Sequence, residues 1–244
     1  VNLFTERARP YLLVCCLSAL LGVLPAEDLA HWKLEEGSGQ VVRNLAGDDE
    51  AVLGFDATEE AQDPQWTAQG WQGRPALYFD GASLVSAPPL KARVIEDLTV
   101  ECRAYLDKGK IGTLVRMNGM FCLDVFPGKE GLLLRFVVWP REVPDKPVSA
   151  EAPIAVLPLK EWARIAGVYE QASGKVTLYV DGKEVARNEA GAGGVFTDPR
   201  MSVAIGASSG GAAEGSLARG WVGMISEVRL SGAALAPAGF LPEQ

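Results

Sequence analysis

The sequence predicts an all-β protein, two antiparallel sheets packed face to face as a β-sandwich, and three observations carry that prediction. In residues 161–187, Val176, Leu178 and Val180 alternate with Thr177 and Tyr179, the period-two pattern of a half-buried strand. Asp181 and Gly182 come next, the residue types that supply the two positive-φ positions of a type I′ hairpin turn. The turn sets a register in which Val180 faces Lys183, Tyr179 faces Glu184 and Leu178 faces Val185. Short alternating runs also recur along the chain between Gly- and Pro-rich turns, as in a sandwich. Finally, beyond residue 26 no segment sustains apolar residues at i, i+3 and i+4, so no long amphipathic helix competes.

Each element follows from local chemistry. Residues 1–26 read as a secretory signal peptide: Arg7 and Arg9 form a basic start, residues 11–23 are uncharged and mostly apolar, and Ala26 offers a small residue for cleavage. An uncleaved anchor is the competing reading, but the uncharged run falls short of the roughly 20 residues a membrane-spanning helix needs. Cys15 and Cys16 belong to this leader, and Val14 before them does not suit lipidation. Residues 27–244 then suit one domain. Strands are expected at 29–34, 97–106, 111–117, 120–127 and 131–139, residues 71–81 supply a further strand and turn, and turns are expected at Asn118-Gly119 and at Gly128 to Gly131. Residues 43–73 read as loop-rich. Residues 140–153 hold Pro140, Pro144, Pro147 and Pro153, which cannot donate to a ladder, so this segment is edge or loop. After the hairpin come strands at 200–206 and 221–230, joined by a Gly/Ala/Ser loop.

Four stretches resemble one known family. Leu29-Ala-His-Trp-Lys-Leu34 runs into Glu35-Glu-Gly-Ser-Gly39, and Arg74-Pro-Ala-Leu-Tyr-Phe-Asp-Gly81 forms a strand and turn. Trp162-Ala-Arg-Ile-Ala-Gly-Val-Tyr169 precedes Ser173-Gly-Lys-Val-Thr-Leu-Tyr-Val-Asp-Gly-Lys183, and Gly223-Met-Ile-Ser-Glu-Val-Arg229 closes the pattern, with Ser226 where an acidic residue is usual. In number and order these motifs resemble the laminin-G-like, concanavalin A-like lectin/glucanase family over residues 29–237. The resemblance implies a jelly-roll sandwich that usually binds and only sometimes cuts. It also implies a calcium site at the sandwich rim in many members.

Charge narrows the partners. Removing Arg7 and Arg9 from the 23 basic residues and Glu6 from the 31 acidic ones leaves a net charge of −9. That balance argues against a nucleic-acid partner, because phosphate contacts require a basic patch, and an acidic surface does not seek anionic membranes. With the leader removed, no membrane insertion is expected. Calcium is the compatible ion, and Asp48, Asp49 and Asp80 are the candidate ligands from loops. Asp80 precedes glycine, where turn geometry alone also explains an aspartate.

Candidate chemistry is sparse. His31 is the one histidine, so any Ser–His or Cys–His arrangement has to use it, and a lone strand histidine is ordinarily a packing or surface residue. Gly206-Ala-Ser208-Ser-Gly210 matches the nucleophile-elbow spelling, but a Gly/Ala loop follows where that motif needs a helix. No Glu-x-Asp-x-Glu triplet provides the paired carboxylates of a glycosidase. Cys102 and Cys122 either bridge or remain two buried thiols; their strand patterns place them on opposite parities, which disfavours a bridge. Trp32, Trp162 and Trp221 sit at strand positions that packing would bury, whereas Trp66, Trp71 and Trp139 flank loops and are the candidate sugar-stacking rings. The reading is a secreted or periplasmic, non-catalytic module that binds carbohydrate through rim loops. A protein-interaction or cell-surface structural module, with a cell-surface protein as partner, is the alternative, and a polysaccharide hydrolase or lyase the third. No Asn-x-Ser/Thr acceptor occurs.

Overall fold

The computed structural model describes residues 28–92, 94–140, 147–189, 194, 196, 201–209 and 217–243. The leader and its two cysteines, Pro144, and Gly210 with the Gly/Ala stretch after it lie outside the described residues. The strands are β1 (Asp28–Trp32), β2 (Val41–Val42), β3 (Ala51–Leu53), β4 (Gln65–Thr67), β5 (Ala76–Asp80), β6 (Val85–Ala87), β7 (Leu98–Leu106), β8 (Gly112–Met117) and β9 (Phe121–Gly128). They continue as β10 (Gly131–Val138), β11 (Val148–Pro153), β12 (Trp162–Glu170), β13 (Lys175–Val180), β14 (Lys183–Glu189), β15 (Val203–Ile205), β16 (Ser208–Ser209), β17 (Leu217–Ala218) and β18 (Val222–Ser231). Among the described residues no helix is long and apolar enough to cross a membrane.

Two large antiparallel sheets form, beside a small two-stranded one of β16 and β17. The first has the order β14-β13-β12-β7-β18-β5-β4, with β1 also paired to β18, and the second has the order β11-β10-β9-β8-β15-β6-β3-β2. Apolar residues of both inner faces make one core that includes Trp32, Phe79, Phe121, Phe136, Tyr169 and Trp221. Gly167 on β12 exists for this contact: a Cβ there would lie 2.2 Å from the Phe136 ring across the core.

The hairpin that announces the fold differs in one detail. Asp181 and Gly182 adopt φ values of 50° and 73°, and Val180 pairs with Lys183 and Tyr179 with Glu184 as expected. A bulge then intervenes, so Leu178 pairs with Ala186 and not with Val185. The extra residue lets both Val185 and Ala186 pack partly against the core, and a bulged, twisted edge is a poor template for another strand. In the proline-rich segment, residues 148–153 take the edge role, as β11 on β10.

Parity corrects the reading of Trp162 and decides between the two alternatives for the cysteines. Ala163 and Ile165 of β12 face the core, which turns Trp162 outward; it is half-buried, not a core residue like Trp32 and Trp221. Cys102 and Cys122 do not bridge: both are buried free thiols, on β7 and β9 in opposite sheets. Cys102 belongs to the core cluster, whereas Cys122 lies 3.9 Å from the Arg116 guanidinium on the outer face. Burial, then the Glu101 carboxylate, holds the Cys102 thiol far above its ordinary range, and burial with Asp124 pushes Cys122 up to about 12.

The outer face of the first sheet is partly closed by residues 232–243. Thr99 donates to Ala233 O, Leu241 N donates to Glu101 Oε1 at 2.7 Å, and Arg103 and Arg164 donate to the carbonyls of Pro242 and Leu241. Phe240 packs on Ala166 and Val168.

Because both thiols are protonated and buried, neither should react with a thiol reagent at pH 8 in the folded protein. Both should be labelled after denaturation without reductant, read by peptide mass at positions 102 and 122; a bridged pair would stay unlabelled there.

Candidate functional site

Two loops meet at one rim of the sandwich, beside the start of β1 and the end of β18. The first, residues 43–50, is folded back by Asn44, whose Oδ1 accepts from His31 N at 2.9 Å and from Ala46 N at 3.0 Å. Leu45 N adds a bond to His31 O at 2.7 Å. The second, residues 88–96, starts with the stiff Pro88-Pro89 pair and is pinned by the bridge between Ile95 and Phe196. Lys91 Nζ lies 2.7 Å from Asp49 Oδ2 and ties the loops together. Hydrogen bonding to Asp49, reinforced by its charge, raises the Lys91 pKa.

Between the loops lies a cavity of about 600 Å³. Asp28, Asn44, Asp49, Lys91 and Glu96 supply its polar lining, and Trp32, Leu90 and Ile95 are the buried apolar part. Two large aliphatic side chains stand exposed in these loops, Leu45 at 56% and Val94 at 52%. A concave cleft that combines apolar surface with converging polar groups is a common form of small-ligand site.

Of the three aspartates expected to share a calcium ion, Asp49 lines this cavity and is paired with Lys91, and Asp48 is its exposed neighbour. Asp80 is elsewhere. It accepts from Ala82 N at 2.8 Å and Ser83 Oγ at 3.1 Å, serving its own turn. Asp80 pairs with Val222 at the start of β18, whereas Asp28 at the cavity pairs with Ser231 at its end. Ten extended residues separate these points by roughly 30 Å, so the trio cannot hold one ion. Among the described residues no group of three or more acidic, His or Cys side chains could hold a metal.

The candidate stacking rings are also dispersed. Trp66, on β4, packs half-buried against the core and donates from Nε1 to Gly39 O at 2.9 Å. Trp139, at the end of β10, has the Arg116 guanidinium 5.9 Å from its ring centroid. Trp71 lies over the outer face of the first sheet, 6.3 Å from Trp162 between ring centroids. None of the three lines the rim cavity. The Pro-Pro pair ahead of Lys91 was the available sequence signal for a rigid second loop, and its pairing with a loop some forty residues upstream left no local trace.

Buried carboxylates on both outer faces are tied to cations. Glu227 Oε1 lies 2.8 Å from His31 Nε2 and its Oε2 accepts from Arg103 Nε at 2.7 Å. Burial pushes its pKa up, but the hydrogen bonds from His31 and Arg103 outweigh this and bring it down to about 2. Glu101 accepts from Arg229, although burial prevails there and raises its pKa. Asp124 accepts two bonds from Arg135, at 2.8 and 2.9 Å. The serine spelling after β15 leads from Gly206 into β16, not into a helix, so it lacks the geometry of a nucleophile elbow.

The family model described as the concanavalin A-like lectin/glucanases superfamily matches residues 79–239. No curated protein sequence matches the chain. Among solved structures, domain 4 of AbnA, an extracellular arabinanase from Geobacillus stearothermophilus in complex with arabinotriose, is 16% identical; the match covers 88% of this chain and 97% of that one, with a TM-score of 0.62. The binding domain of Paraclostridial Mosquitocidal Protein 1 is 11% identical over 87% of this chain and 50% of its own, with a TM-score of 0.61. The ligand-binding domain of botulinum neurotoxin serotype D, in complex with N-acetylneuraminic acid, is 8% identical over 87% and 49%, with a TM-score of 0.58. The chain thus spans about half the length of each toxin domain, and at these identities the likeness is one of fold.

The Glu227 network sets an acid limb of stability. A carboxylate depressed from 4.5 to about 2 on folding stabilises the protein above pH 4.5, and that contribution, at most about 3 kcal/mol, disappears as the pH falls through the folded value. Glu227→Gln should lower the melting temperature at pH 7 and flatten its decline between pH 4.5 and 2, measured by calorimetry across that range.

Proposed function

Because the chain belongs to the concanavalin A-like lectin/glucanase superfamily, we propose that it is a non-catalytic carbohydrate-binding module acting outside the cytoplasm, with one saccharide unit held in the rim cavity. The cavity itself carries this reading. Its volume of about 600 Å³ suits one or two sugar rings, and its lining pairs apolar surface with amide, carboxylate and ammonium groups suited to hydroxyls. Two structures of the same architecture hold arabinotriose and N-acetylneuraminic acid, which supports the ligand class by analogy of fold. The uncharged run at residues 11–23 supports export. A non-catalytic role is supported by Glu227, Glu101 and Asp124, each bound to a guanidinium and so poorly suited to proton transfer. Exposed Leu45 and Val94 favour a second reading, a protein partner on the same rim.

Screening the purified protein against neutral and acidic glycans should reveal a ligand. Binding should survive EDTA, because the candidate aspartates do not converge. Ala46→Trp, which fills the cavity from an exposed position, should weaken binding tenfold or more with little change in melting temperature. Lys91→Ala should lower affinity severalfold with little change in melting temperature, because its ion pair with Asp49 is exposed to solvent. Unchanged affinity in Ala46→Trp would remove the cavity from the account.

A further inference from the structure

We infer that the outer face of the first sheet carries a second saccharide site, a platform of Trp162 and Tyr105 edged by Trp71, which takes the ring face of a neutral sugar. The register builds it: Trp162 pairs with Tyr105, Tyr105 with Met224, and Met224 with Tyr78, so one row crosses β12, β7, β18 and β5. Their neighbours Ala104, Ala163, Leu77 and Ile225 face the core, which turns the row toward the outer face. Trp162 and Tyr105 have ring centroids 5.8 Å apart, and Trp71 meets Trp162 edge-on at an interplanar angle of 76°. All three rings are half-buried, with residues 72–74 beside them exposed.

The chain holds Trp71 there at a conformational cost. Gly70 N donates to Arg74 O at 2.9 Å, and a Cβ on Gly70 would come within 2.3 Å of that oxygen. Gln72 takes φ 56°, a left-handed conformation that costs a non-glycine residue stability. Arg103 lies under the ring, 5.2 Å from its centroid, and the Trp71 Nε1–H has no acceptor among the described residues. The C-terminal segment covers the neighbouring rows, and among the described residues its hydrogen bonds reach only as far as the row of Arg103 and Arg164. Trp162, Tyr105 and Tyr78 of the row are left partly exposed, whereas Met224 between them is buried.

The occupant follows from chemistry. Aromatic faces take the C–H face of a sugar, and the polar groups at the platform's border serve its hydroxyls: His31 and Glu227, 17% and 12% exposed. Charge there is balanced, Arg103 and Arg164 against Glu227 and Glu243, which favours a neutral glycan over an anionic one. Met224 and Ser231 are seven residues apart on β18, so the platform and the rim cavity are separated by roughly 23 Å and can be occupied independently. The ligand class rests on the carbohydrate reading above; the site does not rest on the rim cavity.

The test is calorimetric titration of the purified protein with cellohexaose and arabinohexaose, alongside tryptophan fluorescence. The proposal expects a fluorescence change that persists in Ala46→Trp and is lost in Trp162→Ala and Tyr105→Ala, with affinity at the platform falling at least tenfold. Trp162→Phe, which keeps a ring, should retain most of the binding and serves as the folding control. Abolition of all binding by Ala46→Trp alone would overturn the second site and leave the rim reading standing. Binding untouched by Ala46→Trp but lost in Trp162→Ala would do the reverse. Silence of the wild-type protein toward both oligosaccharides would overturn the platform, and the wider glycan panel would then decide the rim cavity separately.

Discussion

Burial of β7 and β18 on both faces is the constraint from which the rest of the structure follows. Inward they present Leu98, Val100, Cys102, Val228 and Leu230 to the common core. Outward they present Glu101, Arg103, Glu227 and Arg229, of which Glu101 is fully buried. A buried charge is tolerable only when paired and hydrogen-bonded, and removing one partner from such a pair costs about 3–5 kcal/mol. The pairs Arg103–Glu227 and Arg229–Glu101 meet that requirement. The last residues of the chain complete it by giving backbone N–H and C=O groups to Glu101, Arg103 and Arg164.

That arrangement divides the surface. Where residues 232–243 lie on the sheet, the face is closed and structural. At one end β1 and the end of β18 leave room for the cavity between residues 43–50 and 88–96, and at the other the rings of the aromatic row stay partly exposed. The carboxylates of Glu227 and Glu101 are part of the scaffold that fixes this division. Their pKa values move in opposite directions for that reason: Glu227 is hydrogen-bonded to His31 and Arg103 at the margin of the face, whereas Glu101 is sealed beneath Leu241.

Strand alternation was legible because side-chain parity is local. The same parity separated Cys102 from Cys122, and the Asp181-Gly182 pair assigned the hairpin turn. Trp162 was readable too: it lies three residues from Ile165 and hence on the opposite face, but a tryptophan flanked by apolar residues invites a core assignment. The bulge at Val185 was not legible, since it reflects how an edge strand leans on the core and leaves the residue pattern unchanged. The rim cavity and the scattered aspartates depend on which distant loops meet, and Asp49 and Asp80 look equally loop-like in sequence while sitting at opposite ends of β18. His31 and Glu227 are 196 positions apart, so their contact had no signature.

The most direct test of the central claim is backbone amide chemical-shift mapping of the isotope-labelled protein during titration with a glycan that binds. The account predicts that shifts cluster at Asn44, Ala46, Asp49, Lys91 and Val94, around the rim cavity. Shifts confined to the outer face of the second sheet, around Asp124 and Arg135, with the rim unperturbed, would contradict it.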